Sequence, residues 1–360
     1  MTTRTTTLRT GERLIIKVLE PPLLEYASQV GCWGDVRDEL LGGQMTPWLF
    51  TPYFIGEING EVVSSMSYYT PTDTRDVGLV EFVQTAEKHR RKGVASALLA
   101  QLIKEFRADG GLALYLCTTN PIAGILYESH GFWYHLGDGM RYLSPGAKDF
   151  DTTYLAFCGK ARIREATWGD MPRASVLYNH PEPRWFIKEY LTQSFRETRF
   201  ESHFVRLMKR IENQSGAFVV LENPAQRVVG AAVLERFDTF YEQHAALLSF
   251  RVCPSYFEQT TELLNAASRR ARELAIRTLQ IYIADGDEEQ KELVKAAGFS
   301  EEARLRNRLR DEDNWMDLLI YTLSLDAPRP LRSPGDYYGN RKPWQEKRVA
   351  SSPKALSKTK

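Results

Sequence analysis

The sequence predicts a mixed α/β fold built twice in tandem, and three observations predict it. A strong hairpin signal is followed by alternating strands and helices, the pattern of a mixed sheet flanked by helices. The same element order returns after about residue 160. A Gly-Phe pair closes a helix in each half, Gly131-Phe132 and Gly298-Phe299. We read an internal duplication. A length of 360 residues agrees, because a single core rarely grows past about 250–300 residues.

The first half opens with polar, Thr-rich residues 1–10, expected to fray. Arg13–Leu19 reads as a strand, and Pro21–Val30 and Asp35–Leu41 as short helices. Tyr53–Ile58 and Glu61–Tyr69 are strands joined at Asn59-Gly60, where both turn residues need positive φ. Val77–Thr85 is a strand. Gly93–Phe106 is an amphipathic helix with Val94, Leu98, Leu102 and Phe106 on one stripe. Leu112–Thr118 is a strand and Pro121–His130 a helix. Strands near Phe132–Leu143 and Thr153–Cys158 complete the copy.

In the second half, Ala161–Glu165 is a strand and Trp168–Asn213 is mostly helical. Strands follow at Phe218–Leu221, Arg227–Leu234 and Ala246–Val252. Then come helix Glu258–Ala275, strand Thr278–Ile283, helix Glu288–Ala297, and strands Ala303–Arg308 and Met316–Leu325. The expected organisation is a flexible start (1–10), a first domain (11–160), a second domain (161–325) and a tail (326–360). The tail carries nine Lys/Arg against three Asp/Glu, with prolines and serines between them. It has little apolar surface to bury and is expected to be disordered.

Composition excludes several classes. A formal charge of +1 does not suit a nucleic-acid or membrane-surface binder. The four cysteines stand far apart, as expected of reduced thiols in a cytoplasmic protein. No CxxC, HxxxH or HExxH occurs, so no metal is expected. No apolar run is long enough to span a bilayer.

The stretch that carries chemistry is Val80–Leu99, VEFVQTAEKHRRKGVASALL. A strand passes through a basic turn and a glycine into an apolar helix. The first turn of a helix leaves N–H groups unpaired at the positive end of its dipole. Gly93 permits close approach, Ala95 and Ser96 keep it uncrowded, and Arg90, Arg91 and Lys92 add charge. The result is an anion site suited to a diphosphate. Neither GxxxxGK[ST] nor GxGxxG is present.

Arg90-Arg91-Lys92-Gly93-Val94-Ala95 resembles the acyl-CoA signature of the GNAT superfamily of N-acetyltransferases. Asn120 through Phe132, NPIAGILYESHGF, resembles the second motif of that family. The resemblance implies two tandem GNAT-like acyl-CoA N-acyltransferase domains, the first carrying the motif, with acetyl-CoA as co-substrate. It implies that backbone amides from Arg90 to Ala95, Val94 among them, hold the diphosphate, with Ser96 beside them. Val83, Gln84 and Thr85 pair with the pantetheine arm, and Asn120 contacts it. Tyr127 protonates the departing thiolate. Thr85 departs from the family, which commonly has an apolar residue there.

Acetylation also needs a neutral amine. A lysine-like amine is neutral in less than about 0.1% of molecules at pH 7. A base removes the proton, and Glu81 is the candidate, expected by alternation to share a face with Val83 and Thr85. Plainer uses exist for each residue: a solvated turn for Arg90–Lys92, a core position for Tyr127, an ion pair for Glu81, a helix cap for Asn120. Cys117 reads as a small buried apolar residue. Trp33, Trp48, Phe50 and Tyr53 suit either an acceptor pocket or simple packing.

The second copy has no glycine between Val252 and Ile283. Phe257, Thr260 and Glu262 occupy the basic, glycine and small positions, and Val294 replaces the tyrosine. Glu262 would repel a diphosphate, so this half is expected to be degenerate. The expectation is direct acetyl transfer to a small-molecule or protein amine by a monomer or homodimer. The alternatives are a non-catalytic acyl-CoA sensor and, ranked last, a tandem aminoacyl transferase.

Overall fold

The computed structural model describes residues 2–187, 200–311 and 314–325. Its strands and helices form two mixed sheets with helices on their faces. The first sheet contains β1 (Thr2–Thr7), β2 (Arg13–Leu19), β3 (Leu49–Phe50), β4 (Tyr53–Ile58), β5 (Glu61–Pro71), β6 (Val77–Thr85), β7 (Ala113–Cys117), β8 (Trp133–Leu136) and β9 (Gly139–Leu143). Its helices are α1 (Arg37–Leu41), α2 (Val94–Ala108), α3 (Pro121–Glu128) and α4 (Phe150–Thr153). The second sheet contains β10 (Arg162–Glu165), β11 (Gly216–Glu222), β12 (Val228–Arg236), β13 (Ala245–Val252), β14 (Thr278–Ala284), β15 (Ser300–Asp311) and β16 (Asn314–Ser324). Its helices are α5 (Asp170–Asn179), α6 (Phe200–Glu212), α7 (Thr260–Glu273) and α8 (Glu288–Ala296).

The strand orders show the duplication directly. The first sheet runs β1-β2-β4-β5-β6-β7-β9-β8, with β3 beside β5, and the second runs β10-β11-β12-β13-β14-β16-β15. Without β1 and β3 the two paths are the same. In each sheet one parallel pair is flanked by antiparallel neighbours: β6 with β7, and β13 with β14.

That parallel pair fixes the shape of the site. β6 pairs with β7 only through Val77↔Ala113, Gly78↔Leu114 and Leu79↔Tyr115. Beyond Leu79, β6 stays on β5 as far as Thr85, and β7 stays on β9 as far as Cys117. The two strands therefore part, and the sheet opens at the carboxyl end of β6. Asn59 and Gly60 take φ values of 52° and 81°, as the hairpin turn requires.

Two layers of core hold the sheet. On one face Val94, Leu98, Leu102 and Phe106 of α2 are all buried, the stripe read from the sequence. Each such side chain contributes about 1.5–3 kcal/mol. The opposite face, with Tyr69, Val77, Leu79 and Tyr115, shares one continuous core with the second domain. α5 lies within that core and is buried from Asp170 to Tyr178, as expected of a helix packed on both sides.

Three sequence expectations are corrected. Residues 2–7 do not fray: they pair with β2 from Thr2↔Val18 to Thr7↔Arg13. Thr153–Cys158 is not a strand. Phe150–Thr153 closes a helical turn, with the Thr152 and Thr153 hydroxyls donating to Asp149 O. Pro21–Val30 holds only a short 3₁₀ turn, Leu24–Tyr26. Within Trp168–Asn213, α5 and α6 are helical, residues 180–187 are not, and 188–199 lie outside the described residues. The tail expected to be disordered, 326–360, also lies outside them. Among the described residues no helix is long and apolar enough to cross a membrane.

Candidate functional site

The site begins with an irregularity in β6. Ser65 pairs with Gln84 and Ser67 with Glu81, so Phe82 and Val83 together oppose Met66. Phe82 has a φ of 55°. A bulge adds one residue and inverts the alternation beyond it. This corrects the expectation that Glu81 shares a face with Val83 and Thr85. Val83 packs with the α2 core, while Phe82 turns to the other face, beside Trp33 and Tyr69. The chain tolerates this because Gly31 lies on the ring: a Cβ there would stand 2.6 Å from Phe82 Cβ.

After Thr85 the chain makes a short 3₁₀ turn, Glu87–His89. Arg91 and Gly93 then adopt positive φ, 61° and 88°. α2 starts at Val94 with no side chain capping it, so the N–H groups of its first turn are offered outward. Successive N–H groups around left-handed residues make an anion-binding concavity. A Cβ at Gly93 would meet nothing within 4 Å, so the space beyond it is open.

That space is a cleft of about 1460 Å³. Val83, Gln84, Thr85, Arg90, Arg91, Lys92, Gly93, Val94, Ala95, Ser96 and Asn120 all line it. Every residue the sequence assigned to the donor thus lies on one wall or another of a single opening. Arg90 Nε donates to Thr85 O at 3.2 Å, and Lys92 pairs with Glu12 at 3.2 Å. Arg91 has no partner among the described residues. Ser96 Oγ lies 2.8 Å from His130 Nε2, and burial lowers the pKa of that imidazole. Asn120 Oδ1 accepts from Ile122 N at 3.0 Å, with Pro121 at the first helical position. Its capping role is therefore realised, and it faces the cleft as well.

Sequence reasoning missed two groups in this cleft. His89 is only 8% exposed, and its Nδ1 has no hydrogen-bond partner among the described residues, yet it lines the opening. A buried polar atom left unpaired costs about 1–3 kcal/mol, which a ligand would recover. The strand signal in residues 2–7 was also missed, and with it the Thr6–Thr10 edge of the cleft.

The two catalytic candidates stand together but not on the cleft wall. Tyr127 is buried on α3 against Phe132, with ring centroids 5.7 Å apart. Its neighbours Ala123, Leu126 and His130 line the cleft. Burial, and then the charge of Glu81, push the Tyr127 hydroxyl up to about 12. Glu81 is half-buried. On the far face of the sheet, Trp33 lies 4.9 Å from Tyr69 and 5.1 Å from Phe82, and the Tyr53 and Tyr69 hydroxyls are 3.3 Å apart. Phe50 instead lies under Arg75, and Trp48 is exposed. Cys117, half-buried rather than buried, lines a small space with His135, Ser175 and Asn179. Among the described residues no cluster of His, Cys, Asp or Glu could hold a metal ion.

The equivalent position in the second sheet is built differently. β12 and β13 pair in unbroken register from Gly230↔Val252 to Arg236↔Ala246, so no bulge forms. The interdomain segment also lies across the start of α7. Gln259 accepts from Ala161 N and donates to Ala161 O, both at 2.9 Å. Cys158 N donates to Tyr256 Oη at 3.1 Å, and Lys160 pairs with Glu262 at 3.0 Å. Val294 is fully buried.

The acetyltransferase (GNAT) family profile matches residues 24–132, and a GNAT acetyltransferase domain profile matches residues 163–320. This chain is a tandem member of the GNAT acetyltransferase family. No curated protein matches the tandem acetyltransferase. Among solved structures it is similar to a ribosomal-protein-alanine N-acetyltransferase from Brucella melitensis. The identity is 24%, over 46% of this chain and 99% of that one, with a TM-score of 0.40. An N-acetyltransferase from Staphylococcus aureus Mu50 is 22% identical over 46% and 99%, with a TM-score of 0.40. A phosphinothricin acetyltransferase from Sinorhizobium meliloti, solved with AcCoA, is 17% identical over 49% and 97%, with a TM-score of 0.42. Each spans about one half of the tandem acetyltransferase.

Proposed function

We propose that the first domain transfers an acetyl group from acetyl-CoA to a primary amine, directly and within a ternary complex. The observation that carries this is the uncapped start of α2, set behind left-handed Arg91 and Gly93 in one large cleft. We take the catalytic unit to extend from Thr2 to about residue 160, with 161–325 as a degenerate partner.

Acetyl-CoA supplies an activated thioester, and this chain's residues bind and orient it. N–H groups from Arg91 to Ser96 hold the diphosphate, aided by Arg90, Arg91 and the orphaned His89. The edge of β6 at Val83–Thr85 guides the pantetheine arm into the gap where β6 and β7 part. Bringing thioester and amine together in one orientation removes much of the entropic barrier. Glu81, directly or through water, takes the proton of the incoming ammonium. Tyr127, protonated throughout the neutral range, gives its proton to the thiolate.

The second reading is an acyl-CoA sensor that does not turn over. It is favoured by one observation: neither Glu81 nor Tyr127 lines the cleft. A thiol-release screen of acetyl-CoA against an amine library separates the two. Turnover with wild type, cut roughly 10²-fold or more in Glu81→Gln and Tyr127→Phe while acetyl-CoA still binds, supports transfer with these roles. Binding without turnover on any amine establishes the sensor. Full activity in both variants removes the pair from the chemistry.

A further inference from the structure

Among the described residues the β1–β2 hairpin has no β1 counterpart in the second sheet, and its turn borders the cleft. Leu8 N donates to Glu12 O and Gly11 N to Leu8 O, each at 2.9 Å, while the buried Leu8 side chain joins the α2 core. Glu12 in turn pairs with Lys92 of the cationic turn. The hairpin is thereby tethered beside the anion site. On its tip, Arg9 is exposed, lines the cleft, and has no hydrogen bond or ion pair among the described residues.

The charges of this cleft therefore divide. Arg90, Arg91 and the first turn of α2 serve the diphosphate. Lys92 is neutralised by Glu12. Arg9 is a free guanidinium outside the diphosphate turn. A coenzyme A molecule carries one further anion, the monoester on its ribose 3′ carbon, with a charge of roughly −1.5 to −2 at pH 7. A guanidinium offers that group a forked pair of charged donors. We propose that Arg9 binds the 3′-phosphate of the coenzyme, and that the Glu12–Lys92 pair positions the hairpin for it. This rests on the reading of the cleft as an acetyl-CoA site.

The test is calorimetric titration of the full chain with acetyl-CoA and with 3′-dephospho-acetyl-CoA. Wild type is compared with Arg9→Ala, Arg9→Lys and Arg91→Ala, and unchanged thermal melts confirm that the variants fold. We expect wild type to prefer acetyl-CoA about tenfold or more. Arg9→Ala should lose that preference by weakening acetyl-CoA alone, and Arg9→Lys should keep part of it. Arg91→Ala should weaken both ligands by a similar factor. Equal weakening of both ligands by Arg9→Ala, or no change in either, overturns the assignment of Arg9 and leaves the cleft reading standing. No heat from either ligand with wild type overturns the cleft reading and this inference with it.

Discussion

Gly93 shows how much of the site one backbone angle determines. It holds a φ of 88°, and a Cβ there would touch nothing. Substitution is therefore limited by conformation, not by crowding. Gly93→Ala should cost about 1–2 kcal/mol in a denaturant melt and weaken acetyl-CoA, because relaxing the angle turns the N–H groups away. An unchanged melt would mean that alanine adopts the left-handed angle without strain. The cleft-lining residues from Val83 to Ser96 were legible in the sequence because they are neighbours in the chain, and a strand–turn–helix passage brings neighbours together. Glu81 was legible as a candidate but not in its orientation. Period-two alternation assumes an unbroken strand, and the bulge at Phe82, with its positive φ, inverts the parity between Glu81 and Val83. Tyr127 gives a further check at this scale. Its hydroxyl is pushed up to about 12, so its proton is retained until the pH approaches that value. A limb in the kcat profile between pH 6 and 10 then belongs to another group and should persist in the residual activity of Tyr127→Phe.

Among the elements, α5 depends on a side chain from another strand. Arg251 of β13 is 1% exposed; its Nε donates to Leu177 O at 2.9 Å, and its Nη2 to His180 O at 2.8 Å and Pro183 O at 3.2 Å. The Leu177 and His180 carbonyls stand at the carboxyl end of α5, where a helix lacks internal donors and a cation opposes the dipole, and Pro183 O lies in the segment that follows. Burial lowers the guanidinium to about 10, so the cap is costly to hold but charged at neutral pH. Arg251→Met should destabilise the protein by about 1–3 kcal/mol, because the His180 and Pro183 carbonyls lose this donor while Leu177 O keeps only the His180 N–H; a loss below about 0.5 kcal/mol in a urea melt would show that water replaces the cap. Nothing in the sequence pointed to this contact, because it joins residues 74 and 71 positions apart. Long periodic elements such as α2 and α7 were legible from their apolar spacing. Thr153–Cys158 was misread because a short continuous apolar run, here Tyr154 to Cys158, does not by its periodicity separate a strand from other buried structure. The helical turn ends at Thr153, Phe150 stacks on Tyr154 with centroids 4.6 Å apart, and the rest of the segment is irregular.

For the whole molecule, the sequence announced two copies but not their joining. α5 packs on β5 and β6 of the first sheet, in the core that Leu40 of α1 also enters. The Arg173–Asp73 pair, Lys209 to Glu39 at 3.3 Å, and His135 Nε2 donating to Asn179 O at 2.9 Å all cross between the halves. The second copy contributes structure through this face, and its own helix start is spent on the interdomain segment. Gln259 holds both backbone groups of Ala161, and Glu262 holds Lys160, at the end of α7 where a diphosphate would need free N–H groups. Loss of the glycine and occupation of the helix end act in the same direction, each sufficient to weaken an anion there. The tandem chain should therefore bind one acetyl-CoA, not two. Titration of wild type should give a stoichiometry of one, and Gly93→Glu, which places a carboxylate in the open space of the first cleft, should remove the heat altogether. A second equivalent in wild type, or binding that survives in Gly93→Glu, would show that the α7 end releases residues 158–161 and accepts the coenzyme itself.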